Sequence, residues 1–283
     1  VYKLYLAITL SLSLLVTAVP AQPVVDRTAP TARGLLGWWR VMPGVSGGPF
    51  WYSLMGPARG TLVNMTAGLG WASTTRPGGQ GEMRFNGTNT RVTFPANAAL
   101  EPPEFTITLW VKVGSLGVDY SMLWGLNAGG GLVREVMLDT SGRLAVYLQT
   151  SAGLLSFDPA ATALALGVWT HVAVSYSQAD GLRGFVNCTS DATTAGTGTM
   201  AVTNSAGAFG MNPNSLNRFF AGAMDDVRLY NRVVPRAALC TMMRDAQRGE
   251  PTLLRPPALV LGLPGTPSAS GGGGRFFPFF GTQ

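Results

Sequence analysis

Phe219-Phe220-Ala221-Gly222-Ala223-Met224-Asp225-Asp226-Val227-Arg228-Leu229-Tyr230-Asn231-Arg232 decides the fold. The stretch reads as a closing strand that ends in an Asn-Arg turn, with two Asp and an Arg planted inside it. Strict alternation sets Asp225, Val227 and Leu229 on one face and Met224, Asp226, Arg228 and Tyr230 on the other.

Upstream, the same period-two pattern repeats. Phe105, Ile107, Leu109, Val111 and Val113 alternate with Thr106, Thr108, Trp110 and Lys112, so the first set is core and the second is only partly covered. Leu144, Val146 and Leu148 form another inward face, as do Val172, Val174 and Tyr176. Turn signals at Asn86-Gly87, Gly129-Gly130-Gly131, Ser141-Gly142, Asp180-Gly181 and Gly196 to Gly198 separate these runs. Strands every ten residues or so favour an antiparallel sandwich over a parallel α/β sheet. One helix is expected, near Pro235 to Arg248, lying against the outside of the sandwich with Ala237, Ala238, Leu239, Met242 and Met243 as its packing stripe.

Composition agrees. The 283 residues are 46% hydrophobic and 12% charged, with 37 Gly and 19 Pro, which suits many short strands and tight turns. The net charge is +6, but the basic residues are dispersed and not interleaved with aromatics, so nucleic acid is not expected as a partner.

The ends differ from the middle. Residues 1–21 read as a signal peptide: Lys3, then an apolar run from Leu4 to Val19, then Val19-Pro20-Ala21 as a cleavage signal before Gln22. An uncleaved anchor is the alternative, and it would be the one route to a membrane. The expected location is secreted or on the cell surface. Residues 22–33 read as a linker, 34–248 as the domain, and 249–283 as a Pro/Gly-rich tail carrying Phe276, Phe277, Phe279 and Phe280. Cys188 and Cys240 could form one disulfide in an exported protein, although two separate thiols are the favoured reading. Asn64, Asn86 and Asn187 each open a glycosylation sequon.

The closing strand resembles the last strand of laminin-G-like, concanavalin A-like jelly rolls. Five further segments resemble that family in the family's order. They are Gly34 to Trp39, Trp51 to Gly56 with Gly60-Thr61-Leu62, Phe85 to Thr88 with Val92-Thr93-Phe94, Phe105 to Val113, and Trp169-Thr170-His171-Val172-Ala173. The resemblance implies an all-β, two-sheet antiparallel jelly-roll sandwich. It also implies ligands such as glycans, matrix or surface proteins, and in some relatives calcium. There the metal uses a carboxylate after the Trp pair, a loop near a Ser-Gly turn, and the closing-strand Asp. Here Arg40 follows Trp39, Ser53 stands where Asp is usual, and Pro57-Ala58-Arg59 replaces an Asn-rich loop, which leaves Asp225 as the matching carboxylate. Calcium wants several oxygen ligands. The expectation is therefore no cofactor, with Arg40 or Arg59 paired to Asp225 in the metal's place. Calcium bound through Asp225 is the alternative.

Catalytic patterns are missing. His171 is the one histidine and falls where relatives use it structurally. Glu135 and Asp139 lack a third acid nearby, and Asp225 and Asp226 are expected on opposite faces. Trp51, Tyr52, Trp71, Tyr120 and Trp124 lie in loops or at strand ends, where aromatic faces suit sugar rings. The resulting expectation is an exported, non-enzymatic binding or adhesion module for carbohydrate or a surface protein. Two alternatives stand beside it: a structural component of a virion or cell-surface appendage, docked through its Phe-rich tail, and a glycan hydrolase.

Overall fold

The computed structural model describes residues 24–42, 48–66, 70–128, 131–249 and 254–255. The segment read as a signal peptide, the Phe cluster of the tail, and Gly129 and Gly130 of the expected glycine turn lie outside these residues.

Alternating segments become strands: β1 (Val24–Val25), β2 (Leu35–Trp39), β3 (Phe50–Tyr52), β4 (Arg59–Val63), β5 (Trp71–Ala72) and β6 (Glu82–Asn86). Then come β7 (Arg91–Phe94), β8 (Phe105–Ser115), β9 (Ser121–Ala128), β10 (Gly131–Leu138), β11 (Leu144–Thr150) and β12 (Gly153–Phe157). The last are β13 (Trp169–Ser177), β14 (Gly181–Val186), β15 (Thr189–Thr194), β16 (Ala206–Phe209), β17 (Ala221–Tyr230) and β18 (Leu254–Arg255). Helix α1 spans Arg236–Arg248, with Pro235 before it and Gly249 closing it in the left-handed conformation (φ 73°).

Two antiparallel sheets form the sandwich. The first runs β12-β11-β10-β9-β16-β7-β4-β3; the second runs β15-β14-β13-β8-β17-β6-β5. β2 joins the second sheet by pairing with the C-terminal half of β17, while β6 pairs with its N-terminal half. First and last strands of the domain are thus neighbours, as the jelly-roll resemblance implied. Val24–Val25, in the segment read as linker, pairs with Leu254–Arg255, in the segment read as tail.

The core lies between the sheets. Phe105, Ile107, Leu109, Val111 and Val113 of β8 are fully buried there, each contributing about 1.5–3 kcal/mol by leaving water. Trp39, Phe94 and Phe209 meet edge to face, with centroids 4.9–5.4 Å apart.

Three expectations need correction. The outer face of β8 is covered: Thr106, Thr108 and Trp110 are buried, because α1 and the chain from Arg76 to Gly81 close over that sheet. A second apolar cluster forms beneath the helix from Leu35, Trp38, Ala173, Tyr230, Leu239 and Met242. The helix stripe itself is Leu239, Met242 and Ala246, whereas Ala237 is exposed.

Strict alternation also fails in β17. Its register with β8 shifts between Asp225 and Arg228, and Asp226 takes a φ of 53°. This bulge carries the extra residue. Met224, Val227 and Leu229 face the core, and Asp225, Asp226, Arg228 and Tyr230 all face outward under the helix. The two Asp therefore share a face, contrary to the sequence expectation.

Candidate functional site

The bulge builds a buried charged layer on the outer face of the second sheet. Asp225 Oδ1 accepts from the Val41 amide at 2.9 Å, and Oδ2 accepts from Arg76 Nε and Nη2 at 3.0 and 2.7 Å. Arg76 Nη1 donates to the Ala246 carbonyl at 3.2 Å, so one guanidinium ties the closing strand to the last turn of α1. Asp226 accepts from Trp38 Nε1 and from Arg228 Nε and Nη2. Arg76 lies over Trp110, Arg228 lies over Trp38, and His171 meets the Trp110 ring at 5.4 Å.

The two acids respond in opposite directions: burial, with Asp226 beside it, pushes the Asp225 carboxyl up against the pull of Arg76 and the Val41 amide. Burial alone would raise the Asp226 carboxyl, but Arg228, then Arg40 and Arg76, outweigh it and hold the group far below the usual range. Burial lowers His171 to about 4, so the ring is neutral at pH 7.

The expected partner of Asp225 is thus corrected. Arg59 lies over the Phe50 ring at 4.4 Å instead. Arg40 is buried close by, with its charge acting on Asp226 and Asp225, but its hydrogen bond goes to the Gly78 carbonyl at 3.3 Å. Arg76 takes the place, from a loop with no periodic signal. Calcium does not fit this donor set. Both Asp225 oxygens are committed to N–H groups, and two guanidinium ions stand where further oxygens would be needed. Among the described residues no group of three or more His, Cys, Asp or Glu could hold a metal ion.

The thiol expectation is corrected too. Cys188 and Cys240 form a disulfide with Cα atoms 5.1 Å apart, which fastens α1 to the β14–β15 turn.

Of the five aromatic candidates, two are core. Trp51 is 1% exposed and packs on Phe209; Trp124 is 4% exposed and packs on Phe105. Trp71 is half-buried at the sandwich edge and donates from Nε1 to the Gly48 carbonyl. Tyr52 is 46% exposed on β3, where its ring meets Phe50, at the far edge of the first sheet from Tyr120. Trp169, half-buried, lies under the Lys112 ammonium.

Tyr120 alone of the five belongs to a surface constellation, on the outer face of the first sheet. Because Leu144, Val146 and Leu148 point inward, Tyr147 points outward, directly opposite Glu135 in the β10–β11 ladder. Tyr120 leads into β9 and Asp158 follows β12. Both phenols donate to Asp158 Oδ2, and the rings meet at 6.2 Å and 88°. Arg218 arrives from the chain between β16 and β17, and its guanidinium lies 5.1 Å from the Tyr120 ring centre. Its Nε contacts Asp119 at 3.2 Å and its Nη1 contacts Glu135 at 3.3 Å; the Asn212 amide donates to the other Glu135 oxygen at 2.8 Å. That segment packs against β9 where Gly125 leaves room: a Cβ there would sit 3.0 Å from Pro213. Burial pushes the Glu135 carboxyl up against the pull of Arg218 and Asn212. The hydrogen bond to Asp158 raises Tyr120, while burial, then Asp158, raises Tyr147. Both phenols therefore stay protonated donors at neutral pH.

Tyr147, Asp158, Asn212 and Arg218 were missed by sequence reasoning. Tyr147 had a signal, as the outward residue of a clean alternating strand. The others come from loops far apart in sequence.

The chain belongs to the concanavalin A-like lectin/glucanases superfamily, whose laminin G profile matches residues 86–240, more than half of the chain. No curated protein sequence matches it. Among solved structures, it is similar to Trypanosoma rangeli sialidase in complex with the inhibitor DANA, at TM-score 0.54 and 15% identity, over 74% of this chain and 32% of that one. It thus spans about a third of that sialidase chain. It is also similar to domain 4 of an extracellular arabinanase from Geobacillus stearothermophilus in complex with arabinotriose, at TM-score 0.54 and 17% identity, over 74% and 98% of the two chains. A third is the binding domain of Paraclostridial Mosquitocidal Protein 1, at TM-score 0.56 and 16% identity, over 74% and 52%. At these identities the likeness shows the fold.

Proposed function

We propose that this chain is an exported, non-catalytic glycan-binding domain whose ligand site is the outer face of β9 to β12 around Tyr120, Tyr147 and Asp158. The observation that carries the reading is the tyrosine pair. Two half-buried rings stand nearly perpendicular, with their hydroxyls held by one exposed carboxylate. Aromatic faces offer apolar contact to a sugar ring's C–H side, and the fixed acceptors and donors beside them match its hydroxyls. The superfamily includes lectins, and the similar arabinanase domain carries an arabinotriose in its structure.

A binding role is favoured over hydrolysis by how the acids are used. Most glycosidases use two carboxyls, one free to protonate the leaving group and another free to attack or activate water. Of the three acids at this site, Asp158 keeps an oxygen without a hydrogen bond from a described residue. Here both Glu135 oxygens are hydrogen-bonded, and Asp119 is ion-paired. Export is supported by the disulfide, since such bridges persist in oxidising compartments.

The test is a glycan and polysaccharide binding screen on the full chain, run with Tyr147→Ala. The account expects glycan binding that drops about tenfold or more in the variant while the melting temperature stays within about 2 °C. Release of sugar products by the wild-type protein would contradict the non-catalytic part. Binding untouched by the substitution would move the site elsewhere.

A further inference from the structure

Resting on the glycan-binding reading, we infer that the saccharide this site accepts carries no acidic groups: neutral or amino sugars bind, and sialylated, uronate-bearing or sulfated ones are rejected. Charge at the site carries the inference. Three carboxylates, Asp119, Glu135 and Asp158, border the tyrosine pair, against one guanidinium, Arg218. That guanidinium is already engaged, with Nε on Asp119 and Nη1 on Glu135. A guanidinium free to form a paired hydrogen bond is the strongest side-chain partner for a carboxylated or sulfated sugar, and among the described residues no such free group stands at the tyrosine pair. Meanwhile Asp158 holds both phenols with Oδ2 alone, and Oδ1 takes no hydrogen bond from any described residue. On an exposed residue that oxygen is an acceptor for a sugar hydroxyl or a sugar ammonium, and it repels an anion.

The experiment measures binding of the full chain to pairs that differ in charge with the sugar backbone kept: sialyllactose methyl ester against sialyllactose, methyl-esterified against free oligogalacturonate, and oligoglucosamine against its N-acetylated form. Asp158→Asn and Asp119→Asn are run beside the wild type, since both positions are exposed. Each unscreened like charge within several ångströms costs about threefold in affinity, so an uncharged member should bind about three- to tenfold more tightly than its acidic partner. Oligoglucosamine should match or exceed its acetylated form. In Asp158→Asn the gap between neutral and acidic members should narrow, and Asp119→Asn, which frees Arg218, should narrow it further. Tighter binding of the acidic members to the wild type, or a gap unmoved by both substitutions, overturns the charge argument while leaving glycan binding intact. Failure of every saccharide to bind overturns the glycan-binding reading itself, and this inference with it.

Discussion

At Asp225 a carboxylate sits with no exposed surface, and a single residue from a loop makes that tolerable. Arg76 meets it with two N–H groups, and the Val41 amide takes the other oxygen. Removing one partner of such a pair strands a buried charge, which typically costs about 3–5 kcal/mol. Arg76→Ala should therefore lower unfolding stability by that order in chemical denaturation, whereas Arg59→Ala, whose side chain lies on Phe50, should change it by under about 1 kcal/mol. Calcium against chelator should leave the melting temperature of the wild type unchanged; a calcium-dependent rise would show that the metal competes for Asp225 after all. His171 adds a pH dependence. Its folded pKa lies near 4, below the ordinary 6.5, so the unfolded chain binds the extra proton between those values. Its stabilising contribution is complete above about pH 6.5 and is lost as the pH falls toward 4, by up to about 3 kcal/mol. His171→Phe should flatten that part of the stability profile in denaturant titrations; an unchanged slope would assign the acid sensitivity to other groups.

Elements explain what the sequence could and could not reveal. Strands buried on one face announce themselves: the inward positions of β8, β11 and β13 follow directly from period-two apolar spacing, and all are buried. What alternation cannot reveal is a bulge, because one inserted residue flips everything after it without altering composition. Hence Asp225 and Asp226 were assigned opposite faces, and the charged layer they share was not legible. Nor was the cover over β8. Trp110 reads as half-exposed until α1 and the Arg76–Gly81 loop are placed above it. Gly78 marks that closure: it holds a φ of 67°, and a Cβ there would fall 2.2 Å from the Ala246 carbonyl. Whether two cysteines 52 residues apart meet depends on the same helix placement. Closing a loop of that length is worth about 2–4 kcal/mol, so the Cys188→Ser, Cys240→Ser double variant should be less stable by that order. Hydrogen exchange should locate the loss in α1 and the β14–β15 turn, with the core strands still protected; uniform loss across the sandwich would show that the helix is not a separate unit.

Across the whole molecule, the two outer faces of the sandwich are put to different uses. One is sealed by a helix, a disulfide and a buried set of ion pairs. The other leaves two tyrosines and a carboxylate at the surface, braced from behind by Glu135, Asn212 and Arg218. Of the five aromatics suggested by position, Trp51 and Trp124 lie within strands β3 and β9 and turn their rings into the core. Tyr120 remained, and the fold brought Tyr147 and Asp158 to it. The most direct test is calorimetric binding of the strongest glycan from the screen to three proteins: wild type, the Tyr120→Ala, Tyr147→Ala double variant, and Tyr52→Ala as a control on β3. The account predicts that the double variant loses binding by about a hundredfold or more while Tyr52→Ala binds as the wild type does, with all three folded. Equal affinity in all three, or loss confined to Tyr52→Ala, would contradict the placement of the site.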